Sequence, residues 1–97
     1  MNGNEKTGSP AAAHLVVNHR MRAMLRAVGA GRGRVSCSSE PDLFIDGLSC
    51  GDQFAAHGLA HLGLIRPAHP GRPGEQVPAV LTAAGRAIVT MDNQSAA

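Results

Sequence analysis

His57 and His61, four residues apart, and Cys50, seven before the first, are the side chains whose spacing most suggests chemistry. On an ideal helix at 100° per residue all three project within about 40° of one another. Cys37 on a neighbouring segment would complete a Cys₂His₂ set of the kind that binds zinc. The twelve residues between Cys37 and Cys50 match no common zinc module, and histidines so placed more often lie simply at a surface, so no metal is assigned. The His57–His61 run, HGLAH, also lacks the glutamate that serves as general base in zinc peptidases. No Ser/His/Asp or Cys/His constellation has catalytic spacing. Asp42 and Asp46 read as a solvated strand edge, with no pocket to shift their pKa values. Gly29, Gly31 and Gly33 superficially resemble a phosphate-cradling loop, but such loops open a helix and this one follows one. The expectation is a protein without catalytic residues or cofactor.

Charge is the second signal. The 97 residues carry a formal charge of only +2, yet its distribution is uneven. Lys6, Arg20, Arg22, Arg26, Arg32 and Arg34 fall before Ser39 with no acid among them, whereas Glu40, Asp42, Asp46 and Asp52 follow without a Lys or Arg. A basic N-terminal half suits phosphate or an acidic protein surface. With Phe44 and Phe54 the only aromatics, stacking-based recognition of single-stranded nucleic acid is disfavoured. The first residues, MNGNEKTGSP, form no secretory signal, and no apolar run approaches the roughly 20 residues of a membrane span. Free thiols in a reducing cytoplasm are therefore expected for Cys37 and Cys50.

These side chains must be positioned by a single small domain over residues 10–91, between a disordered lead at 1–9 and a disordered tail at 92–97. From Ala11 to Val28, Val17, Met21, Met24, Leu25 and Val28 share one stripe opposite His19, Arg22 and Arg26, the pattern of an amphipathic helix ended by Gly29-Ala30-Gly31. Arg22 and Arg26 form a like-charged i,i+4 pair with no acid nearby in sequence. Arg34–Cys37 and Leu43–Asp46 read as a hairpin. Ser49 reads as the N-cap of a helix running to Leu62, with Asp52 at its third position, a core stripe of Phe54, Ala55, Leu59 and Leu62, and Gln53, Ala56, His57, Ala60 and His61 outside. Leu64–Arg66 and Val77–Leu81 read as strands flanking a Pro/Gly-rich exposed loop, with Pro78 confining the second to an edge or a non-bonding position. Thr82 caps a final helix from Ala83 to Met91.

The stretch Leu59-Ala60-His61-Leu62-Gly63-Leu64-Ile65-Arg66, the loop after it, and Val80-Leu81-Thr82-Ala83-Ala84-Gly85-Arg86 resemble the second half of winged-helix regulators of the MarR type. The likeness spans about residues 49–90. It implies an α+β winged-helix-like domain ordered helix, hairpin, helix, strand, wing, strand, helix. It also implies a small regulator, likened to homodimeric proteins that bind double-stranded DNA. One departure is legible: Glu40 to Leu48 reads as strand and turn where that family has a positioning helix.

If the helix after Ser49 entered a major groove, Gln53, His57 and His61 would face base edges. Arg66, His69 and Arg72 would touch backbone or minor groove from the wing, and Arg20, Arg22 and Arg26 would clamp phosphates. That helix carries no Arg or Lys, which equally suits a protein-interaction or adaptor module, or self-association through the acidic hairpin and basic helix. The five histidines, His14 and His19 included, would make either kind of binding pH-sensitive.

Overall fold

The computed structural model describes residues 17–96. Within them three helices pack on a five-stranded antiparallel sheet, a small α+β domain of winged-helix-like build. The helices are α1 (His19–Gly29), α2 (Gln53–His61) and α3 (Ala83–Ala96). The strands are β1 (Gly33–Ser36), β2 (Leu43–Ile45), β3 (Leu48–Ser49), β4 (Ile65–Pro67) and β5 (Gln76–Leu81). Their spatial order is β3-β2-β1-β5-β4. The expected lead at 1–9 and the first residues of the expected first helix lie outside the described residues.

Asn18 starts α1: its extended backbone stops the helix, and its side chain accepts from Met21 N at 2.8 Å, so the first described helical residue is His19 rather than one further back. The stripe read from the sequence is the buried one, with Met21, Met24, Leu25 and Val28 all in the core. The helix ends in a Schellman motif. Gly31, at φ +83°, donates to Val28 O and Arg32 N reaches Ala27 O, which satisfies carbonyls the helix leaves open.

The hairpin of β1 and β2 forms as expected, with Arg34 opposite Phe44. The chain then turns at Asp46-Gly47, both at positive φ, and adds the short β3. Glu40 to Leu48 therefore contains no helix, and the positioning helix of a standard helix-turn-helix is absent. Strand β5 lies between β1 and β4, not at an edge. Pro78 is tolerated because its carbonyl accepts from Ala68 N, one residue beyond the end of β4. Its missing N–H thus falls where that ladder has already stopped.

The wing connecting β4 to β5 is exposed, yet it does not stand free. Cys37 N donates to Glu75 O at 2.8 Å, and Gly74 N donates to Cys37 O at 2.9 Å. The tip is thereby folded down on the end of β1.

Around α2 and α3 the chain is clasped. Gly63, at φ +72°, lets Leu64 N return to Leu59 O and close α2. The Thr82 hydroxyl donates to Gly63 O at 2.6 Å and accepts from Gly85 N at 3.1 Å, while Thr82 N donates to Leu64 O. A methyl group on Gly85 would collide with the Leu64 carbonyl oxygen. Helix α3 then continues to Ala96, five residues past the expected end at Met91. Asp92 on this extension lies 3.4 Å from Arg22 Nε and 3.7 Å from Arg26 Nη1. The like-charged pair on α1 is relieved by an acid distant in sequence.

Two substitutions test this construction by urea unfolding. Gly85→Ala would stabilise an exposed helix by up to about 1 kcal/mol; here it should destabilise by about 1–3 kcal/mol, because the added methyl overpacks against backbone. Asp92→Asn should lower stability by about 1 kcal/mol, the upper end of the range for surface pairs, because Asp92 is only 18% exposed. That loss should shrink when Arg22 and Arg26 are both replaced by Gln.

Candidate interaction face on α2

The cap of α2 sets where the helix begins. Asp52, not Ser49, occupies the N-cap, accepting from Ala55 N at 2.9 Å. Ser49 belongs to β3 and Cys50 precedes the helix. Its core face is Ala55, Ala56 and Leu59. Phe54 lies about 140° from its centre at 100° per residue and is 90% exposed. The expected stripe is thus corrected at two positions: Phe54 faces outward, and Ala56 is fully buried. The small alanines let α2 lie close to the sheet and α1. A Cβ on Gly58 would sit 3.2 Å from Met21 Cε.

Gln53 is used up by the fold. Its side-chain oxygen accepts from Leu43 N, and its amide nitrogen donates to Leu43 O, Ser49 Oγ and Cys50 O, all between 2.9 and 3.0 Å. It fastens α2 to the second hairpin and leaves no free N–H for a base edge. His57 and His61 stand together on the outward face, and each meets carboxylates from the β1–β2 loop. His57 Nε2 is 3.0 Å from Asp42 Oδ1, and its Nδ1 is 3.4 Å from Glu40 Oε1; His61 Nε2 is 3.0 Å from Glu40 Oε2. These contacts span 15 and 21 residues, beyond the reach of any local pattern. The charge sequence does show an acidic segment following Ser39, but not that it folds over the histidines.

Arg20, at the other end of α2, pairs with Asp52 at 2.7 Å. Arg22 and Arg26 belong to Asp92. On the wing side, Arg66 donates to Pro67 O, His69 bonds Pro70 O, and the Arg72 backbone nitrogen donates to Glu75 Oε1. All three side chains are exposed, and neither arginine has an ion pair among the described residues. Asp42 and Asp46, read from sequence as one edge, diverge: Asp42 meets His57, and Asp46 pairs with Arg32 at 2.8 Å. The nine residues read as a nucleic-acid surface therefore split into three groups. Arg20, Gln53, His57 and His61 gather at α2 among acids, while Arg66, His69 and Arg72 remain on the wing side, and Arg22 and Arg26 face α3.

No grouping of three or more His, Cys, Asp or Glu suited to a metal exists among the described residues. Cys50 lies off the helix that carries the histidines, and Cys37 follows β1 under the wing. Burial, and then Asp52, push the Cys50 thiol above its ordinary pKa, which opposes the thiolate that a metal ligand or nucleophile requires. His14 lies outside the described residues.

Beside Phe54 runs a groove of about 330 Å³ between the start of α1 and α2, lined by Asn18, Met21, Phe54, Ala55, Gly58 and the polar side chains Glu40, Asp52, His57 and His61. No known protein family, characterised protein or solved structure matches the chain. Among the described residues no helix is long and apolar enough to cross a membrane.

The Ala55 amide and then the Arg20 guanidinium hold the Asp52 carboxyl below the usual aspartate range. A depressed folded-state pKa contributes stability above the unfolded value, and that contribution is lost as pH falls through the folded one. Unfolding midpoints should therefore decline with acidification below the ordinary aspartate range. Asp52→Asn, which keeps a capping oxygen, should show a shallower decline than wild type; equal slopes would contradict the assignment.

Proposed function

We propose that this protein is a protein-interaction module of winged-helix-like build, contacting its partner through the outward face of α2. The observation that carries this reading is Phe54, a large apolar side chain left in water beside a groove and among carboxylates. Exposed apolar surface framed by polar groups is characteristic of protein contact sites. In a DNA reader, the equivalent helix would present free donors to an anionic groove. Here the Gln53 amide is internally bonded, His57 and His61 lie on Glu40 and Asp42, and Arg20 is paired with Asp52. The loop bearing Glu40 and Asp42 also runs from the wing-bound Cys37 to α2, placing negative charge between the two elements a winged helix would lay on a duplex. That family's positioning helix has no counterpart here.

A second reading, duplex DNA bound through the backbone alone, is favoured by one observation. Arg66 and Arg72 are exposed without acid partners among the described residues, and Arg34 lies on the same outer sheet face as Arg66, bonded only to Gln76 O. Such contacts are sequence-independent and strongly salt-dependent.

Titration of the full chain with random duplex DNA at about 50 and about 200 mM salt separates the two. Where the second reading expects binding at the lower salt, lost at the higher and reduced by Arg66→Ala and Arg72→Ala but not by Phe54→Ser, the interaction-module reading expects no measurable binding at either salt. Binding that persists at the higher salt and weakens when Phe54, His57 or His61 is replaced would overturn it.

A further inference from the structure

We infer that the α2 groove receives a cationic, amphipathic helix from a partner protein; this rests on the interaction-module reading and names its ligand chemistry. The occupant follows from three features of the site.

The first is shape. The groove lies between two helices, α1 and α2, with an apolar floor of Met21, Ala55 and Gly58 and the Phe54 ring as one wall. It offers no open strand edge, so an extended peptide would find no ladder to join, whereas a helix laid along it would bury one apolar stripe. Nine residues of α2 give a length of about 13 Å, room for apolar anchors at i, i+3 or i+4, and i+7 of a partner helix.

The second is charge. Among the described residues, Glu40 lines one end with Asp42 beside it on His57, each about half exposed, and Asp52 lines the other, paired with the guanidinium of Arg20. Three carboxylates against one guanidinium favour Lys or Arg on the partner's flanks, and they would repel an acidic peptide or a phosphate backbone.

The third concerns the competing occupant, a second copy of this chain. Two such faces brought together would set the same excess of carboxylates against itself, so charge complementarity selects a different, basic partner.

The probe is a capped 14-residue peptide with Leu at i, i+3, i+4 and i+7 and Lys elsewhere, compared with its counterpart carrying Glu for Lys. Binding to the full chain is followed by calorimetry and by backbone amide shifts. The Lys peptide should bind one-to-one, at least tenfold tighter than the Glu peptide, with shifts confined to α1's first turn, α2 and the β1–β2 loop. Phe54→Ser, which changes no charge, should weaken it at least tenfold. Glu40→Gln with Asp42→Asn should weaken it several-fold and flatten its salt dependence, with circular dichroism confirming that both variants remain folded. Equal affinity for the two peptides, or indifference to Phe54→Ser, would overturn the proposal. So would dimerisation of the peptide-free protein that Phe54→Ser abolishes, because it assigns the groove to a second copy. Failure here while duplex DNA still does not bind rejects the cationic helix alone; duplex binding that needs Phe54 rejects the interaction-module reading itself.

Discussion

The domain depends on the clasp between the end of α2 and the start of α3. Helix α2 can stop where it does because Gly63 adopts a left-handed conformation, and the strand that follows is captured at once by Thr82, whose hydroxyl and backbone nitrogen engage Gly63 O and Leu64 O. The same hydroxyl caps α3 through Gly85 N. One side chain thus fixes the end of one helix, the start of another, and the register of the β4–β5 ribbon, where Ile65 faces Leu81. The close approach is possible only because position 85 has no side chain. Backbone donors and acceptors that would otherwise be stranded at two helix ends satisfy each other. The orientation of α2, and with it what α2 offers to solvent, is inherited from this junction and from the Gln53 anchor at the opposite end.

The second hairpin supplies what a positioning helix would otherwise provide, a surface for α2 to rest on. It does so with different chemistry. The β2 backbone holds the Gln53 amide at Leu43, and the loop entering β2 delivers Glu40 and Asp42 to the outward histidines. Replacing a helix by strands therefore also changes the electrostatics of the exposed face, since the connecting loop is acidic. Attraction between that loop and the two histidines draws carboxylates toward the centre of the face. The cations of the N-terminal half are meanwhile met elsewhere, Arg20 by Asp52, Arg22 and Arg26 by Asp92, and Arg32 by Asp46.

Much of this architecture was legible in the sequence. The 3.6-residue periodicity of α1 named the correct buried stripe, and the turn residues placed the β1–β2 hairpin and the wing. The reading failed where one cap residue competed with another. Ser49 and Asp52 are both good N-cap residues, and the earlier cap would keep Cys50 on the helix; Phe54 is a separate matter, since at 100° per residue it lies about 140° from Leu59 wherever the helix begins. Local pattern could not decide between the two caps, because the deciding contacts are the cross-strand bonds that commit Ser49 to β3. Asp92 escapes local pattern for the same reason: its polar neighbours suggest a tail, and only the fold brings it to Arg22 and Arg26. The Glu40–His61 and Asp42–His57 contacts are likewise tertiary, joining a loop to a helix face that sequence can only place separately.

The phrase that resembles MarR-type regulators gains a physical explanation from this structure, and the explanation limits what the phrase can say. Gly63 ends a helix, Thr82 caps the next, Gly85 permits backbone contact, and the Arg86 side chain donates to Leu81 O. None of these roles faces a partner. The motif encodes how a helix, a ribbon and a second helix are joined, which any winged domain must solve whatever it binds. Residues that would discriminate a duplex from a protein sit on α2's outward face and on the wing, and of the two motif stretches, Leu59–Arg66 and Val80–Arg86, only the first includes any of them, His61 and Arg66. A likeness concentrated in the clasp therefore speaks for the scaffold alone.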